Sequence, residues 1–550
     1  MDNQLHSNNL KEVSTLSLIQ HRSSDSKHCL ITLLTASSLR SLPSDIKASF
    51  CSSSKECTEV YDLKKFYITT PIYYVNDTPH IGHAYTTIVA DILTRWHKLT
   101  GDKTFFLTGT DEHGEKIETS AEKAGKTPKE FVDAVSEQFK TAWSRLNISY
   151  TYFTRTTDER HEKTVVEFIK KIAESGDIYE GEYEGWYCVP DETFWTELQL
   201  KDGKCPQCNR PVQKVKEDAY FFRLSKYQER LLKFYEDNPD FLSPKFRAEE
   251  IINRVKSGLR DVSITRTTVK WAVPFPLSSG HYTYVWIDAL ISYISAIGWP
   301  SSESKEFWPA DVHLIGKEIN WFHSVIWPAI LFSAGLEPPK KVFSHGWWTV
   351  NGEKMSKSLG NVVNPLELSE KYSVDALRYF LIREMPLGED GDFSEEAMIA
   401  RINGELVADL GNLIYRALTL AEKFKGSIEG EPELEKQLNL KEVEENMENL
   451  DLFNALKNIW EFIRATNKYV NENEAWKLEG KRLANVLYNL LEASRIIAIL
   501  IYPFMPETGE KIAQQLGVKL GALNDCKFRK FDGSPKKGSY LFKKVKPKTS

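Results

Sequence analysis

Phe66-Tyr67-Ile68-Thr69-Thr70 and the segment that follows it, Pro79-His80-Ile81-Gly82-His83, decide the fold of this chain. The first is an unbroken strand-like run. After the second, Tyr85, Ile88, Ile92 and Trp96 recur every three to four residues, which predicts a helix, so His80 and His83 stand at its N-terminus. Unpaired backbone N–H groups and the helix dipole favour phosphate there, Gly82 lets a nucleotide approach the backbone, and imidazole donors can follow charge as it develops. A histidine pair beside a glycine is also an ordinary turn, so this segment alone decides little about chemistry.

Working outward, Thr104-Phe105-Phe106-Leu107 leads into Gly109-Thr110-Asp111-Glu112-His113-Gly114, a second strand-to-turn step. Such alternation predicts an α/β fold with a doubly wound, Rossmann-like parallel sheet. Between Tyr183 and Leu242 the alternation gives way to aromatics, turns and the pair Cys205-Pro206-Gln207-Cys208, which reads as an insertion splitting the sheet domain. Sheet-like and helical pieces resume around Tyr282 to Ile294 and His313 to Leu331. Far along the chain, Lys354-Met355-Ser356-Lys357-Ser358 lies between Gly352 and Gly360. Flanking glycines suit a hinged loop, and its lysines and hydroxyls could clamp a departing pyrophosphate on closure. Beyond it, Ile399, Ile402, Leu406, Leu410, Leu413, Ala417, Leu420 and Phe424 predict one long amphipathic helix opening a helical bundle.

The bulk properties set bounds. With 550 residues, 41% apolar and 27% charged, the chain can bury a large core and divides into about three or four domains. A formal charge of −6 gives no global basicity, so a nucleic acid would have to be met by local patches. The apolar stretch Ile496 to Tyr502 is stopped by Pro503, far short of the roughly 18 to 20 residues that cross a bilayer, so no membrane is expected. Seven cysteines with one compact pair are not a secreted disulfide framework. Before Tyr61 the chain is rich in serine and basic residues, which predicts an organellar transit peptide at residues 1–60. Asp2, Glu12, Asp25 and Asp45 leave a merely disordered extension as the alternative expectation.

Taken in this order and separation, the two phosphate segments resemble the HIGH and KMSKS signatures of class I aminoacyl-tRNA synthetases. Thr70-Pro71-Ile72-Tyr73-Tyr74-Val75-Asn76, the Gly109 to Gly114 turn and Tyr284-Val285-Trp286-Ile287-Asp288-Ala289-Leu290 narrow the resemblance to methionyl-tRNA synthetases of the bacterial and organellar type, from Phe66 to the C-terminus. The resemblance implies an ATP-dependent ligase that activates methionine to methionyl-adenylate and transfers it to the 3′ adenosine of tRNA(Met). Its implied methionine site is Ile72, Tyr74, Asp111, Trp286, Ala289, Tyr293 and His323, with Asp111 pairing the substrate ammonium. Aromatic walls suit a thioether.

ATP, with Mg2+, would meet His80, Gly82 and His83 at the phosphates, Gly316 and Glu318 at the ribose, Trp348 near the adenine, and Lys354 and Lys357 at the triphosphate. The implied anticodon readers are Asn412, Arg416 and Trp476, although Ala475 stands where relatives often carry proline. Cys188, Asp191, Cys205 and Cys208 occupy the places of a zinc knuckle, with aspartate as the odd ligand; a knuckle without metal is the other reading.

The resulting organisation is the leader at 1–60, a first catalytic half at 61–182, the connective insertion at 183–242, and a second half at 243–345. A KMSKS and stem-contact region at 346–395, an α-helical anticodon-binding domain at 396–525 and a C-terminal peptide at 526–550 follow. Tyr540-Leu541-Phe542-Lys543-Lys544 resembles the family's returning peptide, and with no appended dimerisation domain a monomer is expected. Rival readings fare worse. The isoleucine, valine and leucine enzymes carry a larger editing insertion, the cysteine enzyme places metal in its amino-acid pocket, and a silent tRNA-binding relative would not need both phosphate segments.

Overall fold

The computed structural model describes residues 64–546 apart from 76–77, 190–192, 196, 207 and 356–359. The expected leader at 1–60, Asp191 and Lys357 therefore lie outside the described residues, and Lys354 is described in its backbone alone. The catalytic body is a six-stranded parallel sheet built from β1 (Lys65–Tyr74), β2 (Lys103–Asp111), β3 (Tyr152–Arg155), β6 (Leu242–Ser243), β7 (Val312–Gly316) and β8 (Val342–His345) in the order β3-β2-β1-β7-β8-β6. Helices cover a parallel sheet on both faces, which is why β1 carries an unbroken buried run from Phe66 to Thr70 and β7 is buried along its whole length.

Between β1 and β2 the register shifts from Thr69 to Ile72. Pro71 has no N–H to give a ladder there, and the break turns Ile72 and Tyr74 toward the cavity described below. Helix α1 (Ile81–Thr100) follows β1 and stops at Gly101, whose φ of 93° only glycine adopts readily.

The insertion forms a separate antiparallel sheet. Its long strands β4 (Ile178–Cys188) and β5 (Gln213–Phe222) pair along their lengths, and Val262–Ser263 closes the edge against Phe221 and Phe222. The sheet thus extends on both sides of the stretch 183–242, because β4 starts while its residues still read as the end of the catalytic half.

Helix α4 (Val374–Arg383) joins this body to the bundle of α5 (Asn412–Lys423), α6 (Leu452–Glu472), α7 (Gly480–Ile501) and α8 (Pro506–Leu516). Arg378 on α4 is fully buried; it donates to Asp91 on α1 at 2.6 Å and to the carbonyls of Phe504 at 2.9 Å and Pro503 at 3.0 Å. Arg95 donates to the same carboxylate at 2.7 Å. Removing one member of such a set leaves a buried charge uncompensated, at about 3 to 5 kcal/mol, so the bundle is fastened to α1 by a cluster that tolerates no partial loss.

Two expectations change. The single helix expected from Ile399 to Phe424 contains a π-helical stretch, Ile402–Gly411, before α5 resumes. Within it Glu405 accepts from Tyr379 at 2.6 Å and pairs with Arg383 and Arg401, both at 3.3 Å, and Arg464 at 3.2 Å. The wider turn brings this buried acid to its partners while Ile402, Leu406 and Leu410 stay inside. Helix α7, in turn, is by length and composition apolar enough to cross a membrane, yet 94% of its most apolar stretch is buried, which makes it the central helix of the bundle.

Candidate active site

At the tip of α1, the sequence writes its own cap. His80 Nδ1 accepts from the Gly82 N–H at 3.1 Å, and His83 Nδ1 accepts from the His80 N–H at 3.4 Å. The rings stack at 3.7 Å. With both Nδ1 atoms accepting, each neutral ring carries its proton on Nε2, so the pair presents donors beside the positive end of a helix. Burial, reinforced by neighbouring His80, holds the His83 pKa well below its ordinary value. A Cβ on Gly82 would lie 2.9 Å from His80 Cε1, so only glycine leaves that ring in place.

The tip opens into a cavity of about 1050 Å3. Its lining brings together His80, Gly82, His83, Ile72, Tyr74, Asp111, Trp286, Ala289, Tyr293, His323, Gly316, Glu318 and Trp348, drawn from β1, β2, β7, α1 and α3 (Val285–Ser295) among others. Trp286, Ala289 and Tyr293 recur at three and four residues, so one face of α3 supplies an aromatic wall. Trp286 stacks on Phe322 at 4.0 Å.

Opposite that face, His323 Nδ1 donates to the Ile319 carbonyl at 3.0 Å, which leaves Nε2 to accept the Tyr293 hydroxyl proton at 2.7 Å. Burial pulls the His323 pKa down to about 4, against a small upward pull from the Ile319 carbonyl, so the ring is neutral at pH 7. This half of the cavity is apolar and aromatic with one buried carboxylate, Asp111, at its wall. A neutral thioether beside an ammonium fits that division.

The second half carries the polar groups. Glu318, following Gly316 at the end of β7, accepts from the Trp347 indole at 2.6 Å. Lys317 is turned away to Asp390 at 2.6 Å. Trp348 is buried at the floor, edge-on to Tyr85 of α1 at 5.9 Å. The strand leading into the lysine loop brings Glu353 and Met355 to the lining, and past the loop the Ile81 N–H donates to Val363 O at 3.0 Å. The leading flank of that loop therefore lines the cavity, and its trailing flank is tied to the α1 tip.

Several lining residues carry no obvious sequence signal. His345 donates from Nδ1 to Gly346 O and accepts from Thr86 Oγ1, both at 2.7 Å, fixing the first turns of α1 against β8. Arg210 also lines the cavity, and its only clue was its place just after the cysteine pair. Behind the wall, Asp288 accepts from His113 at 2.7 Å and His161 at 2.8 Å. Burial would raise its pKa, but the two imidazoles outweigh it and hold the carboxylate at about 2.

Two expected groups lie elsewhere. On the bundle, Asn412 and Arg416 sit one turn apart on α5; the Arg416 guanidinium is 5.7 Å from the Trp476 ring and donates to Asn471 Oδ1 at 2.8 Å. Trp476 is 55% exposed, an open aromatic face beside a fixed cation. In the insertion, the sulfurs of Cys188, Cys205 and Cys208 lie within 4.8 Å of one another, with Cys188 and Cys208 3.5 Å apart. Thiolates on tetrahedral zinc sit about 3.8 Å apart, so the three fit a zinc knuckle.

Comparison with known proteins accords with this geometry. The sequence matches the family described as tRNA synthetases class I (M) over residues 66–215 and 210–418, and the anticodon-binding domain of tRNA ligases over 435–540. Methionine–tRNA ligases of Caldanaerobacter subterraneus and Thermotoga maritima are each 52% identical, over 83% and 82% of this chain and 74% and 75% of their own lengths. The Mycobacterium tuberculosis methionyl-tRNA synthetase in complex with methionyl-adenylate superposes with a TM-score of 0.84 at 39% identity, covering 87% of this chain and all of that one.

These bacterial relatives overturn the organellar destination expected from residues 1–60. Serine and basic content is not an address by itself, and the acids at Asp2, Glu12, Asp25 and Asp45 already ran against one. By sequence over most of its length and by fold, the chain belongs to the methionine–tRNA ligase family of class I aminoacyl-tRNA synthetases, which are ATP-dependent ligases.

Proposed function

We propose that the cavity binds methionine against the α3 face and ATP against the α1 tip, forms methionyl-adenylate, and passes the methionyl group to the 3′ adenosine of tRNA(Met). One observation carries this reading. A helix tip bearing two Nε2 donors and an aromatic pocket with a buried carboxylate open into the same cavity.

Asp111 pairs the ammonium and leaves the substrate carboxylate facing the α-phosphorus. Ile72, Tyr74, Trp286, Ala289, Tyr293 and His323 enclose the thioether. The carboxylate attacks in line and pyrophosphate leaves; no side-chain nucleophile is needed, because the attacking group is already ionised and the work is orientation and charge stabilisation. His80 and His83 donate to phosphate oxygens, Gly82 gives them room, Gly316 and Glu318 meet the ribose, and Trp348 stands near the adenine. Lys354 and Lys357 add positive charge as their loop closes over the Mg2+-bound triphosphate. Asn412 and Arg416 read anticodon base edges while Trp476 stacks on an unpaired base.

Cys188, Cys205 and Cys208, with Asp191, would hold zinc, whose contribution is a structural cross-link within the insertion. The test is exchange of pyrophosphate into ATP with methionine, isoleucine, leucine, valine and cysteine supplied in turn. Methionine alone should support it at low concentration, and equal exchange with another of the five would refute the assignment.

A further inference from the structure

Asp288 of α3 is buried behind the aromatic wall, outside the cavity lining, and each of its carboxylate oxygens accepts a hydrogen bond. Oδ2 accepts from Nδ1 of His113 at 2.7 Å, and Oδ1 accepts from Nε2 of His161, on α2 (Glu159–Glu174), at 2.8 Å. The other ring nitrogen of His161 meets Ser295, two turns further along α3, at 2.8 Å. Bonds at two separated points fix the rotation of a helix as well as its distance.

His113 belongs to a clamped turn. Next to it, fully buried Glu112 accepts from Arg155 at 2.7 and 2.8 Å, and the Trp271 indole donates to the Glu112 carbonyl at 2.6 Å. The His113 carbonyl accepts from the Tyr74 hydroxyl at 2.9 Å. One residue therefore ties three sides of the amino-acid half of the cavity: Asp111 two positions before it, Tyr74 through its carbonyl, and the helix bearing Trp286, Ala289 and Tyr293 through its ring. Cohesion alone does not call for this. Apolar side chains would pack the same elements without the cost of burying a charge, whereas a carboxylate bonded in two directions sets a position.

We infer that Asp288 is a positioning residue that, through His113, sets the separation between the Asp111 carboxylate and the α3 wall, and with it the length of side chain the site accepts. The inference rests on the ligase reading above, in which the ammonium is held at one end of that span and the thioether at the other, and adds what fixes the span. Ethionine, one methylene longer than methionine, has to push α3 away from the turn against the Asp288 bonds. With those bonds gone, the wall yields and the longer side chain fits.

The test compares methionine with ethionine in pyrophosphate exchange, using the full chain with Asp288→Ala, the isosteric Asp288→Asn, His113→Leu and His113→Asn, each normalised to its active-site content. Asparagine at 113 can put an N–H where Nδ1 stands; leucine cannot. In the parent, kcat/KM should favour methionine about tenfold or more, the worth of one methylene in a fitted pocket. Asp288→Ala and His113→Leu should raise the methionine KM about tenfold and bring that preference to within about threefold, with the ATP KM within about twofold of the parent. Asp288→Asn keeps the volume and loses the charge, so it should fold and shift the preference part of the way, and His113→Asn should recover most of it. Fewer active sites with an unchanged preference, equal rises in the methionine and ATP KM values, or no recovery in His113→Asn would overturn the inference alone and leave the cluster a plain structural support. A parent chain that exchanges with neither amino acid would overturn the ligase reading and this inference with it.

Discussion

The backbone N–H of Ile81, the first residue of α1, donates to the carbonyl of Val363 at 3.0 Å. The residues are far apart in sequence, yet one begins the histidine-capped helix and the other follows the lysine loop. The bond satisfies one of the N–H groups that a helix start leaves unpaired, and it ties the loop's trailing flank to the helix tip.

Gly82→Ala should impair activation while leaving the fold intact. The added methyl meets the His80 ring at 2.9 Å and displaces a flexible side chain, not backbone. The ring then loses its aim, and the exchange rate should fall at least tenfold, about 1.4 kcal/mol, with an unchanged melting temperature. A normal rate would show that the His80 position does not matter to the reaction.

Trp476→Ala removes the open face beside Arg416. Loss of one base stack is worth about 1 to 3 kcal/mol, so aminoacylation should fall roughly fivefold to a hundredfold at limiting tRNA while tRNA-independent exchange is spared. Parallel losses in both assays would remove the ring from anticodon reading.

Zinc content is open to direct assay. Purified protein should contain about one zinc per chain, and Cys205→Ser should lose it together with several degrees of melting temperature. Stoichiometric protein free of metal and equally stable after chelation would leave the knuckle held by hydrogen bonds and packing.

Stability should decline as pH falls from about 6.5 toward 4. His83, His313 and His323 are buried, and burial lowers all three pKa values. The unfolded chain therefore binds more protons in that window, and stability present above 6.5 is lost on the way down. For His323, a shift from 6.5 to about 4 corresponds to about 3 kcal/mol at the low end. His113 works the other way: burial lowers its pKa, but Asp288 outweighs that and raises it, so its contribution is lost as pH rises. Asp288 itself is unaffected until lower pH. Urea midpoints at pH 7.5 and pH 5 measure the net effect, and equal midpoints would contradict it.

Local patterning made much of this legible. The strand run from Phe66 and the periodicity after Ile81 put His80 at a helix start, where the structure has it as the cap. Trp286, Ala289 and Tyr293 were implied by the family resemblance, and the structure puts them on one face of α3. What escaped depends on contacts between distant segments. Asp288 meets His113 and His161 only once the sheet has closed, and His345 meets Thr86 across it. Arg210 reaches the cavity because the insertion folds over it, which no periodicity encodes. The π stretch in the long helix was hidden since Ile402, Leu406 and Leu410 keep a spacing compatible with either helix type. The leader failed as a guide because composition alone does not specify a destination.

The most direct measurement is a crystal structure of the chain with methionine and a non-hydrolysable ATP analogue. One triphosphate is expected with oxygens about 3 Å from Nε2 of His80 or His83 and from the Lys357 ammonium, and the thioether between Trp286 and Tyr293. A nucleotide bound away from the α1 tip, or a lysine loop unable to reach the phosphates held there, would contradict it.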